Sequence, residues 1–122
     1  MSMKLPELNP GEIYAGAIGD TAGNLHHVIL LPGDNDDATW QHQMDWAASI
    51  GGELPNRIEH ALLWQNCREH FKQDWYWSGE ENASDAGWAW FQHFDDGSQG
   101  LSHQNDQLRA RAVRRVVVRS GE

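Results

Sequence analysis

The sequence predicts an α+β fold in which two helices lie between two groups of strands. Apolar residues recur at helical spacing only between about residues 38 and 70. Short apolar or alternating runs, typical of strands, lie before and after this region. Turn residues separate the runs, so the element order is β-β-α-α-β-β-(β)-β. The length favours a single domain over residues 1–122.

A hairpin over about residues 12–31 begins the domain. Residues 12–18 alternate weakly between apolar and polar, and residues 19–24 are rich in Gly, Asn and Asp, as turns are. Residues 25–31 end in four contiguous aliphatic side chains, which predicts a strand buried on both faces.

Two helices are expected at about residues 38–50 and 57–70. An acidic loop over residues 34–37 precedes the first helix, where its side chains would act as caps. Gly51 and Gly52 end that helix. Asn56 and Glu59 have the spacing of a capping box at the start of the second.

A C-terminal sheet is expected over about residues 75–119. Residues 75–78 and 88–94 read as strands on either side of a polar loop over residues 79–87. Asp95-Asp96-Gly97 is typical of a hairpin turn. Residues 100–107 are polar and begin with a short strand, and residues 109–119 close the chain as one β-branched strand.

Tryptophan is unusually frequent, with seven residues in the chain. Trp75 and Trp77 share one face of their strand, and Trp88 and Trp90 share one face of theirs, because strand side chains alternate. We favour a core role for them, under the helices with Trp40 and Trp64. The alternative is a ligand-binding aromatic strip, in which the four strand indoles lie on one side of the sheet.

Charge and composition exclude several classes of partner. A formal net charge of −9 argues against non-specific binding of nucleic acid or anionic membranes, so neither is expected. Residues 109–122 hold five basic side chains and one acidic one. We expect acidic loops to neutralise this basic strand, and a basic binding strip is the alternative. No apolar run has the length of a signal peptide or membrane span, which predicts a soluble cytoplasmic protein or part of a larger assembly.

The sequence offers no motif for catalysis or cofactor binding. Residues 34–37 are oxygen-rich but lack the spacing of an EF-hand, and the seven histidines lack a His-x-x-x-His pair. Cys67 is the only cysteine and is expected to be a buried thiol. Ser78 precedes a glycine without other signs of a nucleophile. We therefore expect no catalytic residue, no metal, no cofactor and no enzymatic activity.

Four segments resemble motifs of one family. Residues 51–59 (GGELPNRIE) resemble G-x-x-L-P-x-x-x-E, and residues 75–80 (WYWSGE) resemble Y-W-S-S-x-E. Residues 88–97 resemble A-W-x-x-x-F-x-x-G, and residues 111–114 (RAVR) resemble V-R-C-V-R. In this order they are similar to the DUF1566, or Lcl C-terminal, domain family over about residues 39–118.

The resemblance implies a C-type-lectin-like fold, with two central helices packed on a twisted, mainly antiparallel sheet and the termini close together. Members occur in bacterial surface proteins and in phage or prophage genes, and some bind glycans or polyanions. This chain lacks the signal peptide and cysteine pair of the surface proteins. A phage-encoded or intracellular protein, in the cytoplasm or a phage particle, is therefore favoured.

We expect function in polar loops that the strands hold in place, because binding residues concentrate on such loops. The predicted function is non-catalytic recognition of a protein or a host-surface glycan. The alternative is a structural subunit of a phage particle or homo-oligomer with tryptophans at a subunit contact. Solvated loops without a partner also stay open, as does the oligomeric state. The candidate binding residues are Glu80, Glu81, Asn82, Asp85, Asp95, Asp96, Gln99, His103, Asn105 and Asp106.

Overall fold

The structure, a computed structural model, describes residues 4–118. It confirms the α+β class and the hairpin that begins the chain. The helices are α1 (Trp40–Ser49) and α2 (Arg57–Cys67), and a 3-10 turn (Arg68–His70) follows α2. The strands are β1 (Ile13–Gly19), β2 (Leu25–Leu30), β3 (Asn35–Ala38), β4 (Trp75–Glu81), β5 (Trp88–His93), β6 (Gln99–His103), β7 (Leu108–Ala110) and β8 (Val113–Val117).

The strands form two sheets rather than one. The smaller sheet has the order β1-β2-β8, and the larger has the order β3-β7-β4-β5-β6. All pairings are antiparallel except the single parallel pairing of β4 with β7. The smaller sheet therefore joins the first strand of the domain to the last through β2.

The two helices pack in different cores. Leu63 and Cys67 of α2 contact residues of both sheets, such as Val28 and Tyr76, so α2 lies between the sheets. Ala47 of α1 packs with residues of the larger sheet in a second cluster. The buried run predicted at the end of β2 is confirmed, because residues 28–31 are all buried.

The helix boundaries show which local signals were decisive. The predicted capping box is confirmed: Asn56 accepts a hydrogen bond from the Glu59 backbone, and the Glu59 carboxylate accepts one from the Asn56 backbone. Gly51 has a φ of 84°, as expected of the glycine that ends α1. The predicted acidic cap of α1 is wrong. Residues 35–38 pair with β7 as strand β3, and α1 begins after Thr39 without a side-chain cap.

Two strand predictions at the C-terminal end are wrong. The polar loop expected at residue 79 starts later, because β4 continues past a bulge to pair Glu81 with Ala89. The single strand expected over residues 109–119 is two strands in different sheets. The buried Arg111 lies between these two strands and donates to the carbonyl oxygens of residues 70 and 31. These bonds hold the chain where it passes from the larger sheet to the smaller one. Residue 119 lies outside the described residues.

The tryptophans do not form one aromatic strip. Trp77 pairs with Phe91 across β4 and β5, while Trp90 pairs with Leu101 across β5 and β6. This register places Trp75 and Trp77 on one face of the sheet and the other pair on the opposite face. The predicted core role holds fully for Trp77, which is 0% exposed and whose Nε1 donates to the Ala38 carbonyl at 3.0 Å.

Neither helix within residues 4–118 is long and apolar enough to cross a bilayer.

Candidate functional site

Several conspicuous charged groups join the strands to one another. Arg109 of β7 donates to Asp34 at 2.9 Å and to Asp36 at 3.1 Å. The Tyr76 hydroxyl also donates to Asp34. Burial, together with the Asp34 carboxylate, raises the pKa of Tyr76 well above its usual range. These bonds engage two carboxylates of the oxygen-rich segment 34–37, which lacks the spacing of an EF-hand.

A second network ties α2 to β8. The buried Glu59 carboxylate accepts two bonds from Arg115, at 2.6 and 2.7 Å, and lies 3.1 Å from His26. Burial raises the pKa of Glu59, but the hydrogen bonds from Arg115 and Asn56 lower it by more. The pKa of Glu59 therefore lies below its usual value. Arg114 pairs with Glu12 in the same way. The expected neutralisation of the basic C-terminal segment is therefore confirmed for Arg109, Arg114 and Arg115, although Glu59 belongs to a helix and not to a loop. Arg111 instead donates to backbone carbonyl oxygens.

The histidines and the cysteine are dispersed. His60 is fully buried in α2, and His27 lies 2.8 Å from the Tyr14 hydroxyl. Burial raises the pKa of the Cys67 thiol. Within residues 4–118 there is no group of three His, Cys, Asp or Glu side chains placed to hold a metal ion.

The ten candidate binding residues surround β5 and β6 in three places. Two turns at one end of the strands hold Asn82, Asp85, Asn105 and Asp106, with Glu81 and His103 at the adjoining strand ends. Asp95 and Asp96 lie in the turn at the opposite end. Glu80 and Gln99 line a groove beside α2. The expectation that all of them lie in loops is wrong for Glu81, Gln99 and His103, which pair with neighbouring strands, and for Glu80, which lies in the bulge of β4.

The groove, which we call the α2 groove, has a volume of about 500 Å³. It runs between the first turns of α2 and the β5–β6 hairpin. Its walls combine apolar side chains with planar polar ones. They are Arg57, Ile58, Ala61, Trp64, Glu80, Gln92, Gly97 and Gln99.

Hydrogen bonds hold the polar side chains of the groove in place. Gln99 accepts from Arg57 Nε at 3.0 Å and donates to Gln92 at 3.0 Å and to the Arg57 carbonyl at 2.7 Å. Glu80 accepts from the Arg57 backbone at 2.8 Å. The Arg57 guanidinium lies 3.5 Å from the ring centroid of Trp90. Such a site is preorganised, because its side chains are already ordered.

The groove opens onto an aromatic surface that we call the β5–β6 face. Cross-strand pairs place Trp88 beside His103 and Trp90 beside Leu101. Trp88 is 37% exposed, Leu101 is 38% exposed, and Ile58 at the groove wall is 64% exposed. The Trp88 and His103 rings meet edge to face at 5.6 Å. The surface therefore combines exposed apolar area with rings in fixed positions.

Sequence reasoning missed Arg57, Ile58, Trp64 and Leu101. Only Arg57 could have been noticed in the sequence. A cation in the first turn of a helix interacts unfavourably with the helix dipole, so its presence there suggests a role other than stabilising the helix. Ile58 and Trp64 belong to the helical apolar pattern, which predicts a buried face, and Leu101 lies in a segment predicted to be mostly polar. Periodicity does not show that the sheet extends beyond the helix that covers it.

Comparison with known proteins finds no matching family model and no significantly similar curated protein. The resemblance to the DUF1566 family and the C-type-lectin-like fold that it implies therefore stay predictions.

Proposed function

We propose that the protein is a non-catalytic recognition domain that binds a partner protein through the α2 groove and the β5–β6 face. The observation that carries the proposal is the exposed surface of Trp88, Leu101 and Ile58 beside the Arg57–Trp90 stack. Tryptophan and arginine dominate the binding energy of protein interfaces. Clustered exposed apolar side chains mark interaction sites on soluble domains.

The bonding state of the groove favours a protein over a glycan. The Gln99 amide already makes three hydrogen bonds within the molecule, and one Glu80 oxygen is engaged. A sugar needs free polar groups to replace the water that its hydroxyls lose, and an unreplaced bond costs about 1–3 kcal/mol. Apolar protein side chains need no such groups.

The proposal extends to the fold and family. We propose a C-type-lectin-like domain of the DUF1566 family, in a phage-encoded protein. Support comes from β1 and β8, which both pair with β2 and so bring the two ends of the described chain into one sheet. The helix pair between the early and late strands fits the same pattern.

Two exposed tryptophans on opposite faces of the sheet provide a matched test. Pull-downs from a lysate of the producing cell would use the wild type, Trp88→Ala and Trp75→Ala. Trp75 is 45% exposed but lies on the opposite face, stacked on His93 at 4.5 Å. We expect the same specific protein with the wild type and Trp75→Ala and its loss with Trp88→Ala.

Three outcomes would contradict the proposal. The first is that the wild type recovers no specific protein, and the second is that Trp88→Ala recovers that protein in full. A glycan array that is positive, with or without calcium, while the pull-down is empty would assign the face to a sugar instead. Urea unfolding of each variant verifies that both are folded.

The structural-subunit alternative is favoured by one observation, the exposed Trp75–His93 stack on the other face of the sheet. Under this hypothesis light scattering gives an oligomer whose mass does not depend on concentration, and Trp75→Ala dissociates it without unfolding. A monomer at high concentration contradicts it.

A further inference from the structure

Strand β6 forms an open edge of the larger sheet. The bonds from His93 N to the Ser98 carbonyl and from Gln104 N to the Gly87 carbonyl fix its register against β5. In an antiparallel ladder alternate residues point their N–H and C=O groups to opposite sides. The backbone groups of Gln99, Leu101 and His103 therefore point away from β5. Within residues 4–118 their N–H groups have no hydrogen-bond acceptor.

The other three edge strands of the described chain are protected. β1 carries a bulge, and Asn66 of α2 donates to its Ala15 carbonyl. β3 is short, has a register shift and bears two aspartates. β8 is bridged by Glu53 and carries Arg114 and Arg115. Bulges, charges and covering groups are the means by which proteins block unwanted strand pairing.

β6 has none of these protections. Its sequence, Gln-Gly-Leu-Ser-His, contains no Lys, Arg, Asp, Glu or Pro, and its pairing with β5 has no register shift. A Cβ at Gly100 would lie 2.9 Å from the Phe91 ring, so the ring covers the glycine and holds the strand in register. An edge that is straight, uncharged and held in register is suited to receive another strand.

Acidic residues lie at both ends of this edge. Asp95 and Asp96 are exposed in the turn before β6, and Asp106 is exposed in the turn after it. Asp85 is exposed in the neighbouring turn, at the same end as Asp106. An extended segment lying along β6 would therefore have carboxylates near both of its ends.

We propose that β6 binds an extended segment of the partner protein as a sixth strand, with basic residues of that segment next to the acidic turns. The inference rests on the proposed function and names its mode of binding. The N–H groups of Gln99, Leu101 and His103 and the carbonyl groups of Gln99 and Leu101 would bond to the segment and supply affinity, since the His103 carbonyl already accepts from Asp106 N at 2.8 Å. Alternate side chains of the segment would extend the β5–β6 face beyond Leu101. A second copy of this chain fits less well. Antiparallel pairing of two β6 strands about Leu101 would bring the Asp96 turn of one copy next to the Asp106 turn of the other.

The first test compares two substitutions at Leu101. Leu101→Pro and Leu101→Ala both remove the leucine side chain, but only proline removes the outward N–H. The probe is the acetylated, fluorescently labelled peptide Lys-Thr-Val-Thr-Val-Thr-Lys, measured by anisotropy at low salt. We expect Leu101→Pro to weaken binding at least tenfold more than Leu101→Ala. Replacing both terminal lysines of the peptide by glutamate should weaken binding to the wild type about tenfold.

A second measurement does not depend on whether the proline variant folds. N-methylation of the peptide at residues facing β6 should abolish binding, and N-methylation at the alternate residues should leave it unchanged. On the wild type, hydrogen exchange of the Leu101 amide should slow when the unmodified peptide is added.

Each contrary result has a separate meaning. Equal losses with Leu101→Pro and Leu101→Ala, with both N-methylated peptides still bound, would overturn strand addition. Absence of peptide binding while the pull-down still recovers a Trp88-dependent protein would overturn this inference and leave the proposed function standing. A wild-type dimer that only Leu101→Pro dissociates would assign the edge to a second copy and also overturn the proposal.

Discussion

His60 gives the fold a predictable sensitivity to acid. Its side chain projects from α2 towards β4 and is 0% exposed. The Nε2 atom lies 3.1 Å from the Trp77 carbonyl oxygen, to which it can donate. Its Nδ1 has no hydrogen-bond partner within the described residues. Burial lowers the pKa of His60 from 6.5 to about 4, although the Trp77 carbonyl and the nearby Glu59 carboxylate oppose the shift. The side chain is therefore neutral in the folded protein at pH 7.

The sign of the effect follows from which state binds the proton first. As pH falls below 6.5 the unfolded chain protonates this histidine while the folded protein does not, so stability falls. The loss levels off below about pH 4, where both states are protonated. The two pKa values correspond to a full loss of about 3 kcal/mol, of which roughly 2–3 kcal/mol is reached by pH 4.5.

Urea unfolding followed by tryptophan fluorescence between pH 7.5 and 4.5 measures this loss. For a urea m-value of about 1–2 kcal/mol/M, we expect the midpoint to fall by roughly 1–3 M. The lower limit of pH 4.5 keeps the titration of Glu12 and Glu59 in the folded protein below the measured pH range. The pKa values of Glu12 and Glu59 are held below 4.5, so their contributions are present above pH 4.5 and are lost only at lower pH.

A non-titrating substitution separates His60 from all other groups. His60→Gln keeps a donor for the Trp77 carbonyl and should be less stable than the wild type at pH 7.5, but its stability should change little down to pH 4.5. His42 is exposed on α1, so His42→Gln is the matched control and should retain the pH dependence. If His60→Gln loses as much stability as the wild type over this range, the reasoning about His60 is refuted.

Three further predictions concern stability. Asn56→Ala should cost about 1 kcal/mol in urea unfolding because it removes the capping box, whereas Thr39→Ala, at a cap without a side-chain bond, should cost little; equal costs would contradict this. Gly97→Ala should cost at least about 1 kcal/mol more in stability than Gly23→Ala. Both glycines have a positive φ, but only at Gly97 would the added Cβ meet an indole ring, at 2.6 Å. Thermal unfolding compares the two variants, and equal midpoints would contradict this prediction. The pKa of Glu12 is lowered from 4.5 to about 2, so the stabilisation that its ion pair gives is lost as pH falls from 4.5 towards 2. In Glu12→Gln, the free energy of unfolding should therefore depend less on pH in that range. An unchanged pH dependence would show that the ion pair contributes nothing.

The sequence was sufficient wherever a local signal determined the structure. The capping box at Asn56 and Glu59, the glycine stop after α1 and the turn before Ser98 each depend on backbone chemistry within a few residues. The split between β7 and β8 could not be seen in this way. Only Arg111 and Ala112 separate β7 (Leu-Arg-Ala) from β8 (Val-Arg-Arg-Val-Val), so the segment reads as one run of apolar and arginine residues. The bonds that hold Arg111 at the change of sheet go to carbonyl groups that are distant in the sequence.

The sequence identified some of the polar side chains that border the candidate site, but not the apolar face or the open strand edge beside them. Polar side chains around β5 and β6 were identified because they follow strand signals in the sequence. The face that they border depends on register, since a shift of one residue would turn Trp88 and Trp90 to the other side. The open edge at β6 depends on strand order, and no local pattern records that β6 lacks a neighbour on one side.

The place of β2 between β1 and β8 has a consequence for folding. The residues that β2 and β8 pair are more than 80 positions apart, so this sheet is completed only after nearly all of the described chain is available. Contacts of such high sequence separation slow folding because a long loop must close first. Without β8, β2 would present an unpaired aliphatic edge, and unpaired strand edges in incompletely folded chains favour aggregation. The β2–β8 pairing therefore completes the smaller sheet and covers the edge that β2 would otherwise leave open.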